Sequence, residues 1–208
     1  MWFPIAVIVV TCYLLGNLNG SVCISTLVAH DDVRNHGSGN AGLTNFIRNY
    51  GIQSGLLVML IDVLKAACAC FLGGLILKPY GYYQEGLMLG ALSVSVGHDF
   101  PALLGFKGGK GILCGVTIAG VIDWRIAVII FGAFAVVYAI TQYVSLSSLV
   151  GSILFAVFFV VFHHDNLLVM LGGVIIGLLA VYMHRTNIVR LIKGTESKTN
   201  LFAKGKKQ

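Results

Sequence analysis

Three glycine- and cation-rich loops carry the residues whose types and spacing can do chemistry. The first runs Gly37, Ser38, Gly39, Asn40, Ala41, Gly42 and leads through Thr44 and Asn45 to Arg48. The second is Gly105, Phe106, Lys107, Gly108, Gly109, Lys110, Gly111, and the third is His184, Arg185, Thr186, Asn187 leading to Arg190. Backbone amides with no side chain to shield them, set beside Arg and Lys, are suited to holding a phosphate. Arg48 stands four residues after Thr44, on the same face of a helix, and Lys107 and Lys110 place two ammonium groups beside flexible backbone. The bland alternatives are a glycine turn without a ligand for the first loop and ordinary positive anchors for the second.

Two nucleotide-binding patterns are approached and fail. Residues 37–42 fit G-x-G-x-x-G, but that fingerprint needs a preceding strand in a βαβ unit. Here an apolar, helix-like stretch and Asp31-Asp32-Val33-Arg34 precede it. The lysine loop lacks the spacing of a Walker A motif, and Gly111 follows Lys110 where Ser or Thr is required. Outside the loops, His98 sits just before the lysine loop, as a structural hydrogen-bonding residue or as a group that accepts or orients a proton. Asp62 and Lys65 are three apart within an apolar segment, which predicts an ion pair bracing a bundle, with support of the site as the second reading. His163-His164-Asp165-Asn166 reads as a solvated turn rather than a metal site.

The elements that must position these loops are membrane-like. Fifty-seven per cent of the chain is hydrophobic and 11% charged, which excludes disorder and disfavours an ordinary soluble domain. Apolar segments fall at about 4–28, 52–77, 86–104, 110–122, 126–142, 147–162 and 167–183. They predict a single all-α, polytopic membrane helix bundle of about seven spans over residues 1–208, with a short basic tail from about 185. The fourth segment is short, and Asp123-Trp124-Arg125 joins it to the fifth with almost no loop. The N-terminus lacks the basic region of a cleaved signal peptide and reads as a retained first span. Five cysteines without Cys-x-x-Cys spacing read as small core residues. The basic tail suits attraction to anionic lipid better than nucleic-acid binding.

Lysines and arginines distribute unequally over alternate loops. Arg34, Arg48, Lys107, Lys110, Arg185, Arg190, Lys193, Lys198, Lys204, Lys206 and Lys207 fall on one side, and only Lys78 and Arg125 on the other. By the positive-inside rule the first side is cytoplasmic and the N-terminus lies outside. All three loops, together with Tyr143-Val144-Ser145-Leu146-Ser147-Ser148, then share the cytoplasmic face.

Four motifs in order identify a resemblance. They are Gly-Ser-Gly-Asn-x-Gly-x-Thr-Asn with Arg48, Gly-His-x-Phe-Pro followed by Phe-Lys-Gly-Gly-Lys-Gly, Tyr-Val-Ser-Leu-x-Ser, and His-Arg-x-Asn-Ile continuing to Gly-Thr-Glu-x-Lys. From about Tyr13 to Lys198 the chain resembles the bacterial acyl-phosphate-dependent glycerol-3-phosphate acyltransferases, integral enzymes of phospholipid synthesis. It departs from them at Ala41, where proline is common, at Leu43, where alanine is usual, and at Thr186, where an acidic residue often stands.

The resemblance implies acyl transfer from acyl phosphate to the sn-1 hydroxyl of glycerol 3-phosphate, giving lysophosphatidic acid and phosphate. It implicates Ser38, Arg48, His98, Lys107, Ser145 and Asn187 as the catalytic set. Gly37, Gly39, Asn40, Gly42, Thr44, Asn45, Gly108, Gly109, Lys110, His184 and Arg190 would bind substrate, with no cofactor or metal and no nucleic-acid partner. The location it implies is the bacterial inner membrane, with the site on the cytoplasmic face. An acyl phosphate is a mixed anhydride with a good leaving group, so the chemistry demands fixed anions and charge neutralisation more than a covalent nucleophile. His98 or a substrate phosphate oxygen would take the hydroxyl proton. None of the six histidines begins a His-x-x-x-x-Asp pattern, the base-orienting motif of many glycerolipid acyltransferases. The competing class, a transporter or lipid-binding membrane protein, would place ionisable groups along several spans near mid-membrane.

Overall fold

In the computed structural model, residues 1–198 are described; Lys204, Lys206 and Lys207 of the basic tail lie outside the described residues. Ten α-helices and three short 3-10 turns make up the described chain: α1 (Trp2–Asn17), α2 (Gly20–Ala29), α3 (Leu43–Tyr50), α4 (Ile52–Leu77), α5 (Tyr83–Asp99), α6 (Ile112–Ile122), α7 (Trp124–Thr141), α8 (Val144–Phe162), α9 (Leu167–Met183) and α10 (Arg185–Ile192). In hydrocarbon, backbone groups must be satisfied within the segment, which is why the apolar stretches close into helices.

All seven expected segments are helical, but they are not seven equal spans. Four helical segments (α4, α5 continued through the following short turn to Leu104, α7 and α8) are long and apolar enough to cross a membrane, the second and fourth of these being 22 and 19 residues; two bent pairs raise the number to six. The α6 helix has 11 residues, about 16 Å at ~1.5 Å per residue, roughly half of a ~30 Å hydrocarbon core. Asp123 alone separates it from α7, and its side chain caps α7 by accepting from Arg125 N. The two helices are therefore joined by a single residue.

The expected first span, 4–28, is broken. Its two halves, α1 and α2, meet at 41°. The break frees backbone groups in an apolar setting, and the buried pair on α4 takes them up. Lys65 Nζ donates to Leu18 O at 2.7 Å, and Gly20 N donates to Asp62 Oδ1 at 3.3 Å. Asn19, fully buried, caps α2 through Oδ1 and donates from Nδ2 to Ala41 O at 3.0 Å. A kink is tolerated at membrane depth where the freed groups find new partners, as these side chains supply here. The Asp62–Lys65 ion pair, 2.7 Å long, does brace the bundle as expected.

The central helices approach backbone to backbone. A Cβ on Gly73, Gly86 or Gly90 would run into the main chain of the facing helix in the α4–α5 contact. Gly16 and Gly97 do the same between α1 and α5. Small residues at such crossings let spans pack where lipid offers no hydrophobic drive. Around them Ile8, Ala69, Met88, Val94 and Ile118 form one core, joined by Phe159 from α8. On the periphery Val128, Phe131, Val136 and Ile140 of α7 point outward, a surface suited to lipid and not to water. Cys12, Cys70 and Cys114 are buried as expected, whereas Cys68 is exposed. The basic tail differs from expectation at its start, because residues 185–192 form α10, at 54° to α9.

Candidate active site

Asn45 shapes the first loop. It sits in the first turn of α3, is 3% exposed, and its amide nitrogen donates to Val33 O, His36 O and Asn40 O at 3.0–3.1 Å. Its Oδ1 accepts from Ser38 N at 3.0 Å. Gly37 and Gly39 have φ of +57° and +69°, and a Cβ on Gly37 would fall on the Asn45 and Asn49 amides. Two residue types are therefore fixed together: glycine where the chain turns left-handed, and asparagine where three carbonyls converge. Asn45 is a builder of the loop, its amide taken up by the loop's own backbone.

The same holds for several amides expected to cradle phosphate. Gly39 N donates to His36 O at 3.0 Å, Gly108 N to Asp99 O at 3.3 Å and Gly109 N to His98 O at 3.1 Å. In the second loop the glycines answer to close packing, since a Cβ on Gly108 would meet His98 O and one on Gly109 would meet the His98 ring. What these loops present is side chains: the exposed Ser38 and Lys107, and the half-buried Thr44 and Lys110.

Tertiary contacts join the four motifs. Arg34, held in a two-pronged pair with Asp32, donates from Nη1 to Leu104 O at 2.9 Å and ties the first loop to the second. Between them lies an open cleft of about 460 Å³ lined by Asp32, Arg34, Asn35, Gly39, Leu104, Gly105 and Lys107. Lys110 Nζ donates to Asn187 Oδ1 at 2.5 Å, joining the second loop to α10. Ser145 Oγ, Asn187 Nδ2 and Arg190 Nε all donate to the Glu196 carboxylate, at 3.0, 2.9 and 2.7 Å. Arg48 belongs to this group as well: the Glu196 and Arg190 charges both act on its guanidinium, which partial burial holds below its ordinary value.

Glu196 is the residue that sequence reasoning left out of the site, although it stands in the Gly-Thr-Glu-x-Lys motif. Burial pushes its carboxyl up, but the bonds from Arg190, Asn187 and Ser145 win and hold it below the usual carboxylate range. Its environment is a ready anion seat: Arg190, a hydroxyl and an amide donate to the carboxylate, and the charges of Lys110 and Arg48 lie close enough to interact with it. Lys110 carries the corresponding stress. Burial and the Arg190 charge, with a smaller part from Arg48, push its pKa down to about 8, against the pull of Glu196.

The two histidines of the expected site sit below this surface. His184, 2% exposed, lies at the end of α9 with Nδ1 on Ala180 O at 2.8 Å. His98, 4% exposed, has Nδ1 against Lys65 Nζ at 2.8 Å, and its ring lies under Gly109. Asn40 and Gly42 close the first loop ahead of α3, where Gly42 is the N-terminal cap. At the far end of the bundle, His163 stacks on Phe159 and lies 3.4 Å from Asp123, and Asn166 donates to Glu85. Among the described residues no three His, Cys, Asp or Glu side chains converge as metal ligands.

Comparison with known proteins meets this geometry. A family model described as glycerol-3-phosphate acyltransferase matches residues 6–194. A glycerol-3-phosphate acyltransferase of Finegoldia magna is 40% identical over 144 residues, covering 69% of this chain and 70% of its own. One of Clostridioides difficile is 38% identical over 152 residues, covering 72% and 74%. The crystal structure of PlsY (YgiH), an integral membrane glycerol 3-phosphate acyltransferase, in its glycerol 3-phosphate form superposes with a TM-score of 0.85 at 31% identity, over 96% of this chain and 99% of that one. The lysophosphatidic acid form gives 0.81 at 29%. Matched along nearly its whole length in sequence and in helical arrangement, this chain belongs to the glycerol-3-phosphate acyltransferase family and is an integral membrane acyltransferase.

Proposed function

We propose that the protein transfers an acyl group from acyl phosphate to the sn-1 hydroxyl of glycerol 3-phosphate, releasing lysophosphatidic acid and phosphate. The site would face the cytoplasm from a bacterial inner membrane. The observation that carries this reading is the anion seat formed by Arg48, Lys110, Arg190, Ser145 and Asn187, which Glu196 occupies, beside a cleft that holds Lys107. Two cationic regions side by side suit a reaction between two phosphorylated substrates. The solved relative with glycerol 3-phosphate and lysophosphatidic acid forms supports the same acceptor and product here.

In this reading the acceptor hydroxyl oxygen bonds to the acyl carbon, and the bond from that carbon to the phosphate oxygen breaks. The electron pair leaves with phosphate, and the hydroxyl proton is carried off by it. Arg48 and Lys107 neutralise charge that grows on the carbonyl and departing phosphate, while Ser38, Ser145 and Asn187 hold oxygens in register. Lipid contacts the outer helices, so the acyl tail stays in hydrocarbon while its phosphate end reaches the loops.

Purified protein with palmitoyl phosphate and glycerol 3-phosphate tests this. Lysophosphatidic acid and phosphate are the expected products, with no loss in the presence of a chelator. Turnover with acyl-CoA and none with acyl phosphate would refute the donor.

A further inference from the structure

We propose that Lys65 is a positioning residue that locks His98 as its Nε2–H tautomer, so that His98 acts as a hydrogen-bond donor beneath the 105–111 loop and not as the proton acceptor. This deepens the functional reading above and rests on it for the loop's role in binding phosphate.

Lys65 Nζ has three oxygen or nitrogen partners: Asp62 Oδ1 at 2.7 Å, Leu18 O at 2.7 Å and His98 Nδ1 at 2.8 Å. A lysine ammonium has three N–H donors and no lone pair, so each partner must accept. Asp62 and Leu18 O do so as a carboxylate and a carbonyl. His98 Nδ1 can do so only when it carries no hydrogen, which leaves the hydrogen on Nε2. A doubly protonated imidazole would point an N–H at an ammonium. Asp62 Oδ1 is 3.9 Å from His98 Nδ1, too far to hydrogen-bond and so unable to hold the opposite tautomer. Lys65 and His98 are each 4% exposed, which leaves little room for water to rearrange the set.

The lock is braced from every side. Asp62, which charge-pairs with Lys65, is itself held by Gly20 N at the kink between α1 and α2. The His98 main chain also serves the loop, since His98 O and Asp99 O accept the Gly109 and Gly108 amides. On the ring's other side a Cβ at Gly109 would land on His98 Nε2, so the donor edge faces the backbone that carries Lys107 and Lys110. One connected set thus runs from the helix break to the cationic loop. It also gives the buried ion pair a task beyond bracing: a general base needs a free lone pair, and the one on this imidazole is engaged by Lys65.

Nitrogen-15 NMR of the full-length, histidine-labelled protein in detergent reads the tautomer directly, with His98→Gln used to assign the signal. Wild type is expected to show an unprotonated Nδ1 and a protonated Nε2, unchanged across the range where free histidine titrates. In Asp62→Asn/Lys65→Met, which removes both charges together, the same signal should become a tautomer mixture. Turnover should follow the donor: His98→Gln, which keeps an N–H near the Nε2 position, should remain within about 10-fold of wild type, and His98→Leu should fall a further ~10-fold or more. A wild-type His98 with hydrogen on Nδ1, or one that titrates together with kcat, overturns the proposal. A correct tautomer in protein that does not acylate glycerol 3-phosphate would instead sink the functional reading and leave the lock standing.

Discussion

Arg48 and Ser38 bring the chemistry of the site down to single groups. Arg48 senses the charges of Glu196 and Arg190, and a guanidinium offers phosphate a planar fork that an ammonium lacks. Arg48→Lys is therefore expected to lower kcat/KM by about 10–100-fold, the loss of a charge-assisted contact of ~1.5–3 kcal/mol. The Ser38 amide is engaged by Asn45, which leaves its hydroxyl as the group to contribute. Ser38→Ala should reduce activity without lowering thermal stability, and no acyl group should be recoverable from the wild-type serine by mass spectrometry; an acyl-serine would mean a covalent route. Lys110 supplies a pH signature. Its pKa lies at about 8 because burial and the neighbouring arginines disfavour the charged form, so an anion contact through it weakens as pH rises through that value. The free-enzyme kcat/KM should fall on the alkaline side near pH 8, and Lys110→Arg, which stays charged, should remove that limb. The sign for stability is opposite. The unfolded chain binds more protons between about 8 and the ordinary lysine value, so this group makes folding more favourable as pH rises there.

At the scale of elements, helix α3 and its loop depend on one side chain. Asn45 satisfies three carbonyls and one amide at a buried position, and Asn45→Ala leaves those groups unpaired. A loss of about 1–3 kcal/mol is expected for buried polar groups left unsatisfied, read as a fall in Tm in detergent, accompanied by a rise in KM as residues 37–42 lose their shape. Unchanged Tm and KM would mean that the loop holds itself. The break between α1 and α2 shows the reverse dependence, in which a loop-like feature inside a span is stabilised by side chains from α4.

For the whole molecule, the loops that carry the cations converge at one end. The opposite end carries a separate cluster in which Asp123 pairs with Arg125 and neighbours His163, and Asn166 meets Glu85. Polar chemistry is thus sorted to the two ends, with Asp62, Lys65 and His98 as the buried set between them. A transporter would need ionisable groups spread along several spans around a central site. The charge bias predicts that the active end is cytoplasmic. In a background without native cysteines, Leu103→Cys should react with a membrane-impermeant reagent only after lysis, and Asp165→Cys in intact cells. The reversed pattern would turn the molecule over.

Composition and local pattern already determined that the chain is helical and membrane-embedded, because continuous apolar stretches of this length suit helices, which satisfy their backbone within the segment, and are too long for the strands of a barrel. They also singled out the loops, since glycine, lysine and arginine clusters stand out against an apolar chain. The pairing of Asp62 with Lys65 was legible from their three-residue spacing. What only the tertiary structure decided is which partner each polar group takes. The first apolar stretch reads as one span, and the break at Leu18 is stabilised by a lysine 47 positions away. The glycine loops read as amide cradles, yet several of their amides close the loops themselves, because those contacts depend on where His98 and Asp99 lie. Glu196 was visible only as a member of the Gly-Thr-Glu-x-Lys motif, and its place in the site comes from the turn after α10, which brings it to Ser145, Asn187 and Arg190. Hydrogen bonds and charge pairs are made across space at about 3 Å, and sequence periodicity carries no information about distances between elements far apart in the chain.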